Sequence, residues 1–245
     1  MDTAADILNS NLSSQVTGLS IQDTLHLFTE LFPGQTCFST SFSMEDQVIL
    51  DHIAKEKRPI TIFTLDTGRM FSETYSVWTA TKEKYGIPIH AYIPDASRLE
   101  NYVNRKGPNA FYESIENRKE CCFIRKVEPL KRALAGQKIW ITGLRAEHSV
   151  NRSQLNLLEW DEGNQLHKYN PLLHWNQEDL RKYISEHDVP YNILHDRGFM
   201  SIGCQPCTRA IRSGEDFRAG RWWWEEADKK ECGLHENTFL NNIKV

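Results

Sequence analysis

The chain has 245 residues, 40% of them hydrophobic and 25% charged, with a formal net charge of -4, the balance of a soluble globular protein able to bury a sizeable core. Net acidity excludes a general attraction to nucleic acid or to an anionic membrane, so basic residues must act locally. The start, Met1-Asp2-Thr3-Ala4-Ala5-Asp6, lacks the positive charge and apolar run of a secretion signal, and no apolar stretch is long enough to span a bilayer, so a cytoplasmic location without membrane contact is expected.

In chain order, Ile21, Leu25, Leu27, Phe28 and Phe32 recur at roughly helical spacing before Pro33-Gly34 stops the pattern, which reads as packing. Cys37 to Phe42 read as a strand, followed by an amphipathic helix through Glu45, Val48, Ile49 and Ile53. A second strand, Ile60 to Leu65, runs into Asp66-Thr67-Gly68-Arg69 and a helix reaching about Tyr85. A third strand is expected from Ile87 to Ile93, a helix from about Glu120 to Ala135, and a fourth strand from Lys138 to Thr142, ended by Gly143-Leu144-Arg145. Leu155 to Trp160 and Gln165 to Tyr169 flank Asp161-Glu162-Gly163-Asn164 as a hairpin would, and Asn176 is placed to cap a helix from Gln177 to about His187. Repeated strand-then-helix order implies an α/β fold, a mostly parallel central sheet with helices on both faces. No internal repeat, low-complexity tract or interdomain linker is visible, so one domain is expected over residues 1–221, with a tail over 222–245.

Chemistry concentrates in two cysteine motifs. Adjacent cysteines rarely bond to each other because the ring is strained, so Cys121 and Cys122, in Glu120-Cys121-Cys122-Phe123-Ile124-Arg125-Lys126, look for partners elsewhere, and Gly203-Cys204-Gln205-Pro206-Cys207 supplies two. Without a secretion signal this spacing reads as metal or redox chemistry rather than a disulfide framework. Four thiolates complete the ligand set of an iron-sulfur cubane or a structural zinc ion; the departure from the paired CxxC of zinc ribbons favours iron-sulfur. Arg125 and Lys126 follow the first pair and Arg209 the second, while Arg218 and Arg221 share a glycine-containing segment. Guanidinium groups match sulfate and phosphate oxygens two at a time, and with Lys126 they would suit a phosphosulfate or diphosphate-like anhydride.

Other positions admit two readings each. Cys232, beside Gly233 and three residues before His235, is either an exposed thiol poised to act as a thiolate or an incidental surface cysteine. Cys37 reads as a small buried hydrophobe. Asp66-Thr67-Gly68-Arg69 could hold a ribose or phosphate, or simply turn the chain. Ser41-Phe42-Ser43 lacks the glycines and lysine of a Walker loop. Trp222-Trp223-Trp224 could stack on a base, although packing is the commoner use of such residues.

Taken in order, Ser39-Thr40-Ser41-Phe42-Ser43-Met44-Glu45-Asp46, Thr64-Leu65-Asp66-Thr67-Gly68-Arg69, the two cysteine motifs, Gly143-Leu144-Arg145, Gly220-Arg221-Trp222-Trp223-Trp224 and Glu231-Cys232-Gly233-Leu234-His235 resemble the assimilatory adenylylsulfate reductases, within the larger adenylylsulfate and phosphoadenylylsulfate reductase family. The resemblance runs over nearly the whole chain after about residue 35. It implies a nucleotide-binding domain of the adenine nucleotide alpha hydrolase-like fold, a [4Fe-4S] cluster on Cys121, Cys122, Cys204 and Cys207, and a catalytic thiolate at Cys232. The implied reaction reduces adenosine 5'-phosphosulfate to sulfite and AMP through an S-sulfocysteine, with thioredoxin as reductant, in sulfate assimilation and cysteine biosynthesis. By the same resemblance Lys126, Arg218, Arg221 and His235 surround the phosphosulfate, whereas Ser41, Ser43, Asp66, Thr67, Gly68, Arg69 and Arg145 belong to the nucleotide side, and a homo-oligomer is expected. Ser43-Met44 stands where many relatives carry glycine, which leaves a phosphoadenylylsulfate or dual-substrate reductase as the alternative. A nucleotide-activating or thiolating enzyme of the same fold superfamily would need a glycine-rich pyrophosphate loop, which is not evident. A non-catalytic iron-sulfur sensor using Arg209, Arg212, Arg218 and Arg221 is the reading from outside enzymology.

Overall fold

Ser20 opens helix α1 (Ile21–Leu31) by accepting the Asp23 N–H, and the chain then enters the strand β1 (Thr36–Ser39). In this computed structural model, which describes residues 11–148 and 155–225, the remaining strands are β2 (Thr61–Leu65), β3 (His90–Tyr92), β4 (Ile139–Ile141), β5 (Leu158–Asp161) and β6 (Leu166–Tyr169). They form one sheet in the order β3-β2-β1-β4-β6-β5. β1 runs parallel to β2 and β4, with Cys37 opposite both Thr61 and Trp140, and β4 runs parallel to β6. The expected hairpin is present as the antiparallel pair β5 and β6. The helices after β1 are α2 (Met44–Glu56), α3 (Ser72–Tyr85), α4 (Ala96–Lys106), α5 (Ile115–Cys122), α6 (Glu128–Leu134) and α7 (Gln177–Glu186). Asn176 caps α7 in a reciprocal box with Asp179, as its position predicts. Among the described residues no helix is long and apolar enough to cross a membrane.

Several elements differ from the sequence reading, among them the expected helix from about Glu120 to Ala135, which is α5, a π-helical stretch and α6 in turn. β1 stops at Ser39 instead of Phe42, because Phe42 takes a positive φ of 60° that a strand cannot accommodate. β3 is confined to three residues. Helix α4 has no counterpart in the sequence reading, although Asp95 caps it and Leu99, Tyr102 and Val103 recur at helical spacing on the face that packs into the second unit's core.

The chain divides into two compact units, the first drawn from Met1–Phe63, Val77–His90 and Gly136–Tyr191, the second from Thr64–Ser76, Ala91–Ala135 and Asn192–Val245. Each has its own core. In the first, Phe28, Phe38, Ile49, Ile141 and Leu180 are fully buried; in the second, Tyr102, Phe111 and Trp222 pack with Cys121, Cys204 and Cys207. Cys37 is completely buried, and burial pushes its thiol well above the ordinary range, as befits a core hydrophobe.

The first unit also holds a buried histidine. His52 on α2 is 6% exposed, with Nδ1 2.8 Å from Gln22 Nε2. Burial pushes its pKa down from 6.5 to about 4, with Lys55 and His187 acting the same way and Asp51 opposing. Between those values the unfolded chain binds a proton that the folded chain refuses, so stability falls as pH drops through this window. We expect His52→Gln to flatten that acid limb, worth at most about 3 kcal/mol. Thermal unfolding followed from neutral pH into this window checks it; curves that stay parallel to wild type would remove His52 as the cause.

Candidate functional site

In the first unit β1 lies between β2 and β4, where the strand order reverses, and ligands of α/β folds bind beyond the carboxyl ends of the strands at such a reversal. The loop after β1 is tightly held. The Phe42 ring is fully buried and stacks on Trp78 at 5.4 Å, which holds its backbone in the left-handed region. Ser43 caps α2 by accepting the Asp46 N–H. Asp46 Oδ2 in turn accepts the Ser41 N–H at 2.6 Å and its hydroxyl at 2.7 Å. Burial raises the Asp46 carboxyl to about 6 in spite of those bonds. With its proton committed to Asp46, the Ser41 hydroxyl is left as an acceptor. After β4, Gly143 must be glycine, since a Cβ there would lie 2.3 Å from Asp46 Oδ1. Arg145 is completely buried and donates to Glu45 Oε1 at 2.9 Å, the Trp175 carbonyl at 3.0 Å and Gln177 Oε1 at 3.0 Å, so it braces this frame.

The second unit carries the cysteines. Ser114 caps α5 by accepting the Asn117 N–H, and α5 ends on Cys121 and Cys122. The chain continues as a π-helical stretch, Phe123–Val127, into α6. Pro129 stands in the first turn of α6 and has no N–H for the Arg125 carbonyl, which favours a widened turn at this point. Cys121, Cys122, Cys204 and Cys207 line one pocket together with Arg69, Arg125, Lys126 and Phe111.

The loop after β2 forms a wall of that pocket. Asp66 Oδ1 accepts the Gly68 N–H at 2.8 Å and the Tyr75 hydroxyl at 2.9 Å. The Thr67 carbonyl accepts from Arg125 Nη1 at 2.5 Å, and the Thr67 hydroxyl oxygen lies 3.3 Å from Cys204 Sγ. Gly68 has a positive φ of 68°. The Arg69 carbonyl accepts the Gln205 N–H at 2.8 Å, while its guanidinium sits 5.1 Å over the Phe111 ring. Gly203 leaves room for Arg221, because a Cβ there would fall 2.3 Å from Arg221 Nη2. Arg221 is 7% exposed. Arg218 is partly exposed, its N–H donating to Asp216 Oδ1 at 2.8 Å.

Electrostatics separates three of these thiols. Burial holds Cys121 above its ordinary value and pushes Cys207 up to about 12. Burial would also raise Cys204, but Lys126, the Thr67 hydroxyl, Arg221 and Arg125 outweigh it and hold that thiol low. Cys37 and the four pocket cysteines are free of disulfides. Among the described residues no three His, Cys, Asp or Glu side chains stand at metal-ligand spacing, so the case for a metal rests on the donor set: four sulfurs facing one pocket, with cations beside them to balance their charge. That donor set fits an iron-sulfur cluster or zinc.

Of the sequence-predicted residues, the structure thus gathers the four cysteines, Lys126 and Arg69 around one pocket, with Thr67, Gly68 and Arg221 adjoining. Ser41, Ser43 and Arg145 belong to the first unit. Cys232 and His235 lie outside the described residues. Two positions escaped the sequence reading. Asp46 was visible in the Ser43-x-x-Asp46 capping pattern, and Arg118 in its place one helical turn before Cys122.

The chain matches the phosphoadenosine phosphosulfate reductase domain family over residues 35–210. A protein of Allochromatium vinosum named adenosine 5'-phosphosulfate reductase is 52% identical over 202 residues, 82% of this chain and 79% of its own. One of Agrobacterium fabrum with the same name is 44% identical over 233 residues, 95% of this chain and 89% of its own. The crystal structure of phosphoadenylyl-sulfate reductase from Candida auris, a phosphate complex, is similar at a TM-score of 0.72 and 29% identity, covering 86% of this chain and 98% of that one. FMN adenylyltransferase of Candida glabrata, 14% identical at a TM-score of 0.54 over 98% of this chain and 82% of its own, shares the fold alone, which is the adenine nucleotide alpha hydrolase-like sheet expected from the motifs. With a family match across most of its length and relatives about half identical to it, this chain belongs to the phosphoadenosine phosphosulfate reductase family, the family its motifs resemble.

Proposed function

We propose that this protein reduces adenosine 5'-phosphosulfate to sulfite and AMP, with a protein dithiol of the thioredoxin class as electron donor, in the cytoplasmic assimilation of sulfate. The observation that carries the reading is the shared pocket of Cys121, Cys122, Cys204 and Cys207, walled by Arg69, Arg125 and Lys126, in a chain whose relatives bear that enzyme's name. The four cysteines would hold a [4Fe-4S] cluster. When bound, that group ties the two cysteine motifs together and fixes the cations beside them; the chemistry below does not require it to exchange electrons.

Lys126, Arg218, Arg221 and His235 neutralise the sulfate and phosphate oxygens, and Asp66, Thr67, Gly68, Arg69, Ser41, Ser43 and Arg145 shape the nucleotide side. The Cys232 thiolate attacks the sulfur of the phosphosulfate. A sulfur-sulfur bond forms, the bond from sulfur to the bridging oxygen breaks, and AMP leaves with the electron pair. A reductant thiolate then attacks Cys232 Sγ, sulfite departs with the electron pair, and the second reductant thiol resolves the mixed disulfide, so the two electrons come from the dithiol.

Turnover with adenosine 5'-phosphosulfate and with its 3'-phosphorylated form, at equal concentration and with thioredoxin as donor, tests the assignment. We expect kcat/KM to favour the unphosphorylated nucleotide by at least about tenfold, or ~1.4 kcal/mol. Equal rates would make the enzyme dual, the reverse order would align it with the Candida auris reductase, and no sulfite from either would leave the non-catalytic iron-sulfur reading.

A further inference from the structure

Residues 220–225 are tied to both cysteine motifs. The Trp222 N–H donates to the Cys207 carbonyl at 3.1 Å and the Arg209 N–H to the Gly220 carbonyl at 3.0 Å, so backbone bonds lay this segment along the second motif. From the first motif comes Arg118, on α5 one turn before the cysteine pair. It gives Glu225 two parallel bonds, Nε to Oε1 at 2.7 Å and Nη2 to Oε2 at 2.9 Å. The two side chains are 0% and 5% exposed, and the same guanidinium sits 4.7 Å from the Trp222 ring centre. Trp222 is 1% exposed and holds a positive φ of 40°. Stability alone is a weak reason for such a pair, because an apolar pair of similar volume often serves as well; a bidentate fork, by contrast, fixes geometry.

We propose that Arg118 and Glu225 are positioning residues: they fasten the root of the C-terminal segment to the helix bearing Cys121 and Cys122, and so set how fast Cys232 meets the bound phosphosulfate. This rests on the function proposed above. Cys232 follows Glu225 by seven residues, a reach of at most about 25 Å for an extended chain. If the root loosened back to Gly220, five more positions ahead of Cys232 would lose their anchor. That loss of orientation lowers the rate at which the thiol meets the bound phosphosulfate.

Glu225→Gln removes the charge and keeps an acceptor, and the paired variant Arg118→Met/Glu225→Met refills the space with apolar side chains. Three readouts are taken on the full holoprotein: iron content, single-turnover transfer of labelled sulfur from adenosine 5'-phosphosulfate to Cys232, and tryptic cleavage after the buried Arg221. For Glu225→Gln we expect unchanged iron, nucleotide affinity within about twofold, labelling slowed about tenfold, and faster cleavage after Arg221. The double variant is expected to regain both protection and labelling. Labelling at the wild-type rate in Glu225→Gln, or iron lost in step with labelling, would overturn the positioning role. Wild-type protein that takes no label would instead refute the proposed reaction; the cleavage comparison would still decide the latch, with equal cleavage in wild type and variant overturning it.

Discussion

Cys232→Ser is expected to stop sulfite release, lowering turnover by at least about a thousandfold, while iron content and nucleotide affinity stay within about twofold of wild type. A serine oxygen is not appreciably ionised at neutral pH and is a far weaker nucleophile toward sulfur than a thiolate. The substitution lies outside the two cysteine motifs in the sequence and exchanges a single atom, so it leaves their four sulfurs unchanged. Steady-state sulfite production, iron analysis and nucleotide binding check the three parts separately. An S-sulfonated peptide recovered from the variant on any other cysteine would assign the chemistry elsewhere.

Cys204→Ser acts on the other side of the problem. Cys204 is 9% exposed and lies 3.3 Å from the Thr67 hydroxyl oxygen, and Lys126 and Arg221 favour its thiolate over the penalty of burial. On the proposed cluster, replacing it would leave three sulfurs where four are needed, and because ligand binding contributes to folding, losing the cluster would untie the second unit locally. We expect iron and acid-labile sulfide to fall below about a tenth of wild type and unfolding to shift by about 2 to 5 kcal/mol, comparable to losing a buried cross-link. Metal analysis and thermal unfolding check both. Unchanged iron would break the ligand set, and stoichiometric zinc in the wild-type protein would replace iron-sulfur with the structural alternative.

The sequence made some of this architecture legible and hid the rest for identifiable reasons. β2 and the hairpin β5 and β6 were readable because apolar residues and turn chemistry agree there. Helix α7 was readable from Asn176 alone. Helix α4 was missed although its signals are present, an Asp95 cap followed by Leu99, Tyr102 and Val103 at helical spacing in an otherwise polar stretch. The cysteine motifs could be paired on paper because four thiols in a chain with six cysteines have few other uses. Their surroundings could not: Thr67 reaches Cys204 across 137 positions and Arg118 reaches Glu225 across 107, and no local pattern encodes a partner at that distance. The loop Asp66-Thr67-Gly68-Arg69 shows the difference most clearly. As a sequence it was a turn or a ribose or phosphate contact; folded, it walls the cysteine pocket while still making an ordinary side-chain turn at Asp66.

The reaction stands or falls on where the sulfur goes. Full-length holoprotein incubated without oxygen or reductant with sulfur-labelled adenosine 5'-phosphosulfate, then digested and mapped, answers that directly. We expect one labelled peptide, containing Cys232, one AMP released per label bound, and discharge of the label as sulfite when thioredoxin is added. Label on a cysteine of the pocket, or AMP released with no label on protein, would contradict it.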